Sequence, residues 1–208
     1  MSTDIRTVVV LGAGTMGSQI AAVAALAGYT TALVDIRQEQ LDHARAQLRS
    51  RLDRDVEKGR RTRADVDAAW EQLTLTTDRD AVAASADLVI EAAVEDLKIK
   101  RSIFAELDRV CPPHTLLVTN SSNIVSSRVA DATDRPEKVC NLHFFNPALV
   151  MACVEVVPHE TTAPETVDAA TAFVESLGKT PVRLKREVPG FVANRLLNAL
   201  RREAVGLY

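Results

Sequence analysis

Cysteine is scarce in this chain: only Cys111, Cys140 and Cys153 occur, an odd number with no C-x-x-C spacing. That excludes a disulfide framework and a zinc site, and it fits a reducing cytoplasm. A basic surplus is also lacking, since the formal net charge is −3, so nothing is available for non-specific neutralisation of nucleic-acid phosphates. The one basic cluster, Arg49, Arg51, Arg54, Lys58, Arg60, Arg61 and Arg63, is interleaved with Asp53, Asp55 and Glu57 and reads as a solvated helical face. No run approaches the roughly 18 apolar residues of a transmembrane helix. The polar start Met1-Ser2-Thr3-Asp4 leads straight into a strand pattern, so no signal peptide is expected. Aromatics are few at 4%, but 47% hydrophobic and 25% charged residues are ordinary for a globular protein. A length of 208 residues suits one large domain, or one domain and a fragment of another.

What the chain does have is concentrated in its first turn. Thr7-Val8-Val9-Val10-Leu11 reads as a strand buried on both faces, and Ser18 to Ala27, closed by Gly28, reads as an alanine-rich helix. Between them lies Gly12-Ala13-Gly14-Thr15-Met16-Gly17, a G-x-G-x-x-G in the strand–turn–helix setting that makes it a dinucleotide-binding signal. Gly12 permits the tight turn, Gly14 leaves no Cβ between backbone and pyrophosphate, and Gly17 lets the helix lie on the strand. The N–H groups of the helix start face the anion. A second strand, Thr30 to Val34, ends at Asp35, whose carboxylate can accept hydrogen bonds from both adenosine ribose hydroxyls and would repel a 2′-phosphate. NAD is therefore favoured over NADP, with Arg37 close enough to neutralise such a phosphate instead.

Further along, Gln38 to about Lys58 has helical spacing at Leu41, Ala44, Leu48, Leu52 and Val56, and Thr62 reads as the N-cap of a short helix over 63–70. This helical pair is longer than a crossover needs and could reach over an active-site mouth. Strands are expected at 73–76, 86–90, 115–119, 138–142, 153–157 and 180–184, with helices at 97–110 and 164–177. Repeated alternation predicts an α/β, Rossmann-type, doubly wound and mostly parallel sheet over residues 1–187. At Pro189-Gly190 the pattern changes to an apolar helix running to Tyr208, so residues 188–208 read as the beginning of an all-α C-terminal domain.

Ligands of such sheets bind beyond the carboxyl ends of the strands, which singles out Gly12, Asp35, Glu91 with Glu95, and Asn120 to Asn123. His143, expected just after a strand on that edge, suits proton exchange with a substrate oxygen while hydride moves to or from a nicotinamide. Glu155 on the next strand could orient the imidazole through its far nitrogen. Ser122 offers either a hydroxyl to the substrate oxygen or a helix N-cap, and Asn194 could supply an amide donor to a developing alkoxide.

Five ordered segments carry a resemblance: the glycine turn; Glu91-Ala92-Ala93-Val94-Glu95-Asp96-Leu97-Lys98-Ile99-Lys100; Thr119-Asn120-Ser121-Ser122; His143-Phe144-Phe145-Asn146-Pro147; and Pro189-Gly190-Phe191-Val192-Ala193-Asn194-Arg195. Together they resemble the 3-hydroxyacyl-CoA dehydrogenase family over essentially the whole chain. The resemblance implies NAD-dependent interconversion of an L-3-hydroxyacyl-CoA and its 3-oxoacyl-CoA, with short chains such as 3-hydroxybutyryl-CoA favoured, within fatty-acid β-oxidation. It implies His143 as catalytic base with Glu155 as its partner, and Ser122 and Asn194 around the reacting oxygen. Cofactor contacts are implied at Glu95, Lys100, Ser122 and Asn146, beside the glycine turn and Asp35, and a coenzyme A contact near Lys58. A homodimer through a helical C-terminal domain is implied as well, with no metal, membrane or nucleic-acid partner. Ala152 stands where a lysine is common in the family. A sister class of the same fold oxidises non-CoA hydroxy acids such as gulonate or carnitine; the doubled phenylalanine after His143 resembles the CoA branch more closely.

Overall fold

A computed structural model describes residues 4–207. The polar start Met1–Thr3 and the C-terminal Tyr208, on which the signal-peptide and helix-end expectations fall, lie outside the described residues. Eight strands form a single sheet: β1 Thr7–Leu11, β2 Thr30–Val34, β3 Leu73–Thr76, β4 Leu88–Glu91, β5 Leu116–Thr119, β6 Val139–Phe144, β7 Cys153–Val157 and β8 Thr180–Arg183. The helices are α1 Thr15–Leu26, α2 Gln38–Glu57, α3 Arg63–Gln72, α4 Arg79–Ala83, α5 Leu97–Val110, α6 Ser127–Ala130, α7 Pro164–Ser176 and α8 Ala193–Gly206. Strand order is β3-β2-β1-β4-β5-β6-β7-β8, and every pairing is parallel except β6 with β7. The order reverses between β1 and β4, which opens a crevice at their carboxyl ends of the kind that binds ligands.

The central strands are near-continuous aliphatic runs because helices cover both faces. Val8, Val10, Leu88, Ile90, Leu116 and Val118 pack under α1, α2 and α7 in the larger core. Val9, Leu11, Val89, Leu117 and Val139 pack under α4, α5 and α6. On β6, Cys140, Leu142 and Phe144 join the first of these clusters, so by period-two alternation Asn141 and His143 share the opposite face with Val139.

The helical pair between β2 and β3 has the expected boundaries. Thr62 forms a capping box, its hydroxyl accepting from the Asp65 N–H while the Asp65 carboxylate accepts from the Thr62 N–H. Val66 and Ala69 of α3 are buried, and α3 packs on α1. Arg61, at the tip of the pair, lines a cavity of about 370 Å³ with Leu149, Val150 and Lys179. No described helix is long and apolar enough to cross a membrane. On α8 no described residue is buried; Leu196, Leu197 and Leu200 stand exposed along one side of it.

Candidate active site

The glycine turn uses its three glycines for two different purposes. A Cβ on Gly12, at φ +99°, would come within 2.6 Å of the Ala92 carbonyl oxygen beyond β4, and one on Gly17 would meet the Gly12 carbonyl oxygen at 1.9 Å. Both are backbone atoms, so these glycines allow strand, turn and helix to touch. Around a Cβ on Gly14 there is nothing within 4 Å. Gly14 is the N-cap of α1, whose first i→i−4 bond runs from Ser18 N–H to Gly14 C=O, so the N–H groups that precede Ser18 in the helix have no intrahelical partner. A pyrophosphate fits this cradle, and Thr15 and Met16 belong to the same helix start.

Asp35, just past β2, accepts the Ala13 N–H (2.9 Å) at one oxygen and the Arg37 N–H (3.0 Å) at the other. The turn and the Asp35 carboxylate are thus fastened to each other. The Arg37 guanidinium lies 4.0 Å from Asp35 and is mostly exposed.

Beyond β4 and β5 a polar network orders the second side of the crevice. Glu91 is fully buried and accepts four hydrogen bonds: Lys100 Nζ at 2.7 and 2.9 Å, the Ala93 N–H at 2.7 Å and the Thr119 hydroxyl at 2.7 Å. Lys100 is itself only 1% exposed and lies 3.5 Å from Glu95. Its ammonium is turned to carboxylates, so the cofactor contact implied for Lys100 reads here as an anchor for the two acidic residues. Glu95 is partly exposed and accepts from the Ser121 hydroxyl and the Asn123 N–H, which joins the turn after β4 to the loop after β5. Asn146 is exposed, beside a cis bond to Pro147.

The His143–Glu155 pair is set across the antiparallel strands. His143 and Glu155 are direct register partners on β6 and β7. His143 Nδ1 lies 2.7 Å from Glu155 Oε2 and Nε2 lies 2.9 Å from Ser122 Oγ, with both ring and carboxylate buried. A carboxylate only accepts, so Nδ1 carries the proton and Nε2 presents its lone pair toward Ser122. Glu155 Oε1 accepts the Val192 and Ala193 N–H groups, each at 3.0 Å, from the first turn of α8. His143 sits inside β6 rather than just after it, because pairing with β7 extends the strand through Phe144.

Ser122 caps no helix. The short helix that follows is α6, with Ser126 at its N-cap, so the alternative reading of Ser122 is removed. Its loop is shaped by Asn141, fully buried, whose amide donates to the Ser121 and Ile124 carbonyls while its oxygen accepts the Ser126 N–H at 2.7 Å. Asn120 accepts the Phe144 N–H at 2.9 Å. The loop after β6 is held by Lys179, which donates to the Ala148 (2.7 Å) and Met151 (2.8 Å) carbonyls. Burial pulls the Lys179 ammonium below the usual lysine value, and Arg61 pushes the same way. Asn194 follows in the first turn of α8, half-buried, without a hydrogen bond to the dyad among the described residues. Lys58 is exposed at the C-cap of α2. The structure therefore gathers Ser122, His143 and Glu155 and leaves Lys58 apart. Glu91, singled out from the sequence as a strand-end residue, and Asn141 and Phe191, neither assigned a role there, complete the surroundings; Asn141 betrays itself as an amide in an otherwise apolar strand run.

Residues 7–188 match the family model described as the NAD binding domain of 3-hydroxyacyl-CoA dehydrogenase. The 3-hydroxyadipyl-CoA dehydrogenase of Escherichia coli (strain K12) is 45% identical over 204 residues, covering 98% of this chain and 42% of that protein. The probable 3-hydroxybutyryl-CoA dehydrogenase of Bacillus subtilis (strain 168) is 39% identical over 202 residues, covering 97% of this chain and 70% of that protein. A crystal structure titled 3-hydroxybutyryl-CoA dehydrogenase from Escherichia coli K12 superposes with a TM-score of 0.93 at 45% identity, over 97% of this chain and 42% of that one. The chain thus spans less than half the length of the E. coli relative and somewhat over two thirds of the B. subtilis one. With the glycine cradle, the crevice and these matches together, the chain belongs to the 3-hydroxyacyl-CoA dehydrogenase family, of which it carries the NAD-binding domain.

Proposed function

We propose that this chain carries the cofactor-binding and acid–base half of a dehydrogenase that interconverts short-chain L-3-hydroxyacyl-CoA, such as 3-hydroxybutyryl-CoA, and 3-oxoacyl-CoA. The observation that carries this reading is His143 bonded at Nδ1 to Glu155 and at Nε2 to Ser122, with imidazole and carboxylate both buried. A substrate hydroxyl placed beside Ser122 meets the Nε2 lone pair, which takes its proton; in the reverse direction the same nitrogen returns it. Glu155 fixes the tautomer that leaves Nε2 free and faces the imidazolium as it forms. Ser122 donates to the reacting oxygen, and the Asn194 amide is the second donor in reach of the first turn of α8. The glycine turn holds the pyrophosphate, Asp35 the adenosine ribose, and Glu95, ordered by Lys100 and Ser121, the nicotinamide side together with Asn146. NAD, when bound, supplies the two-electron hydride acceptor, and NADH the donor. A coenzyme A contact at Lys58 and assembly as a homodimer in the cytoplasm belong to the same proposal.

The test is NADH absorbance with acetoacetyl-CoA, run beside His143→Ala, with NADH binding followed separately by fluorescence. His143→Ala should lower turnover by roughly 100- to 10,000-fold while NADH still binds. Turnover that survives the substitution overturns the acid–base assignment. One observation favours a second reading: the exposed apolar row of α8 suits a chain that holds NAD but turns over only when a further domain covers that face. NADH binding without turnover, restored by adding the covering domain, would select it.

A further inference from the structure

Among the described residues, Phe191 is the only non-glycine with a positive φ, at 47°, and it follows Gly190 at φ 77°. A left-handed backbone is sterically unfavourable for an aromatic residue, so something must hold it there. The ring is fully buried, with its centroid 5.2 Å from that of His143 and its plane tilted by 56°. Phe145 packs edge-on against the same imidazole at 4.8 Å. The two left-handed residues also turn the chain so that the next two N–H groups, Val192 and Ala193, converge on Glu155 Oε1.

Hydrogen bonds at both ring nitrogens fix the line joining them but leave the imidazole free to rock about that line. Rings packed against the imidazole, Phe191 from the turn before α8 and Phe145 from the loop after β6, limit this rocking. We propose that Phe191 is a positioning residue of the His143–Glu155 pair. Its ring sets the orientation of the imidazole, and the turn it occupies clamps the second oxygen of Glu155, so that the seating of α8 is read at Nε2. The proposal rests on His143 being the acid–base group, and it goes beyond that reading by assigning the device that keeps the group aligned.

The test uses protein labelled with 15N-histidine, the His143 signals being assigned by their loss in His143→Gln. In the wild type, long-range 1H–15N spectra of the neutral ring should show widely separated nitrogens, the pattern of one fixed tautomer protonated at Nδ1. Phe191→Gly keeps the left-handed turn accessible while removing the ring, and the two nitrogen signals should converge as tautomers exchange. Phe191→Leu, which restores apolar bulk without a flat ring, should fall between, and it serves if the glycine variant does not fold by circular dichroism. In the full-length protein both variants should lose about 10- to 100-fold in kcat with the KM for NADH within about twofold. Wild-type nitrogen shifts in both variants overturn the proposal. Complete absence of turnover in the wild type would instead sink the dehydrogenase reading, while the tautomer result still stands on its own.

Discussion

Replacing Lys100 by methionine should destabilise this domain more than the loss of an exposed ion pair would. The pair it breaks is almost wholly excluded from water, Lys100 at 1% and Glu91 at 0% exposure. Removing one partner of a buried pair leaves an uncompensated charge, which costs about 3–5 kcal/mol. Glu91 keeps the Ala93 N–H and the Thr119 hydroxyl, each at 2.7 Å, so the lower end applies, about 3 kcal/mol. With a slope of about 2–3 kcal/mol per molar urea, the midpoint should fall by about 1–1.5 M. The double variant Glu91→Gln with Lys100→Met removes both charges, keeps an acceptor for Ala93 and lets the amide donate to Thr119. It should recover about 2 kcal/mol of the loss, because a neutral isosteric pair incurs little desolvation. Urea unfolding followed by circular dichroism measures both. A single variant within about 1 kcal/mol of wild type, or a double variant no better than the single, would refute the reasoning.

Gly14→Ala should fold with little change in melting temperature, since its Cβ meets nothing within 4 Å, yet weaken NADH binding at least about tenfold by fluorescence titration. Gly17→Ala, whose Cβ would lie 1.9 Å from a backbone oxygen, should fail to accumulate as folded protein in a solubility assay. Thr62→Ala deletes one half of the capping box and should cost about 1 kcal/mol, seen as a calorimetric shift of about 2–4 °C. Burial pushes the Cys111 thiol up to about 11 and Cys140 up to about 12, so a thiol reagent at pH 8 should modify Cys153 alone until urea is added. Because those two thiols stay protonated in the fold after they would ionise in the unfolded chain, they also make stability fall as pH rises above about 9.

Much of the frame was legible in the sequence because its strands are runs of aliphatic residues and its helices carry their own stops. The glycine turn, Asp35 and the limits of α3 and α5 all rest on local chemistry. The reversal at β7 does not, although the short loop 145–152 leaves no room for the helix a parallel connection needs. The short helix α6 is fixed by the core residues it buries, while α4 has a local mark only in its cap, Asp78 accepting the Ala81 N–H. At the site, His143 and Ser122 stood out as strand-end residues and Glu155 as a carboxylate on the next strand. Phe191 did not, since a phenylalanine after glycine says nothing of which ring it will meet, and Lys100 gave no sign of facing inward until Glu91 was placed beside it.

The antiparallel register of β6 and β7 has a consequence for time rather than for shape. His143 and Glu155 are held by the sheet's own ladder, so they cannot part by the opening of a loop; separating them means pulling two adjoining strands out of an eight-stranded sheet. Ser122, on a connecting segment, can breathe on its own. In hydrogen exchange the amides of the dyad should therefore open only with the whole domain, while the serine's neighbourhood exchanges early. A ligand that enters by displacing the loop would find His143 and Glu155 already paired.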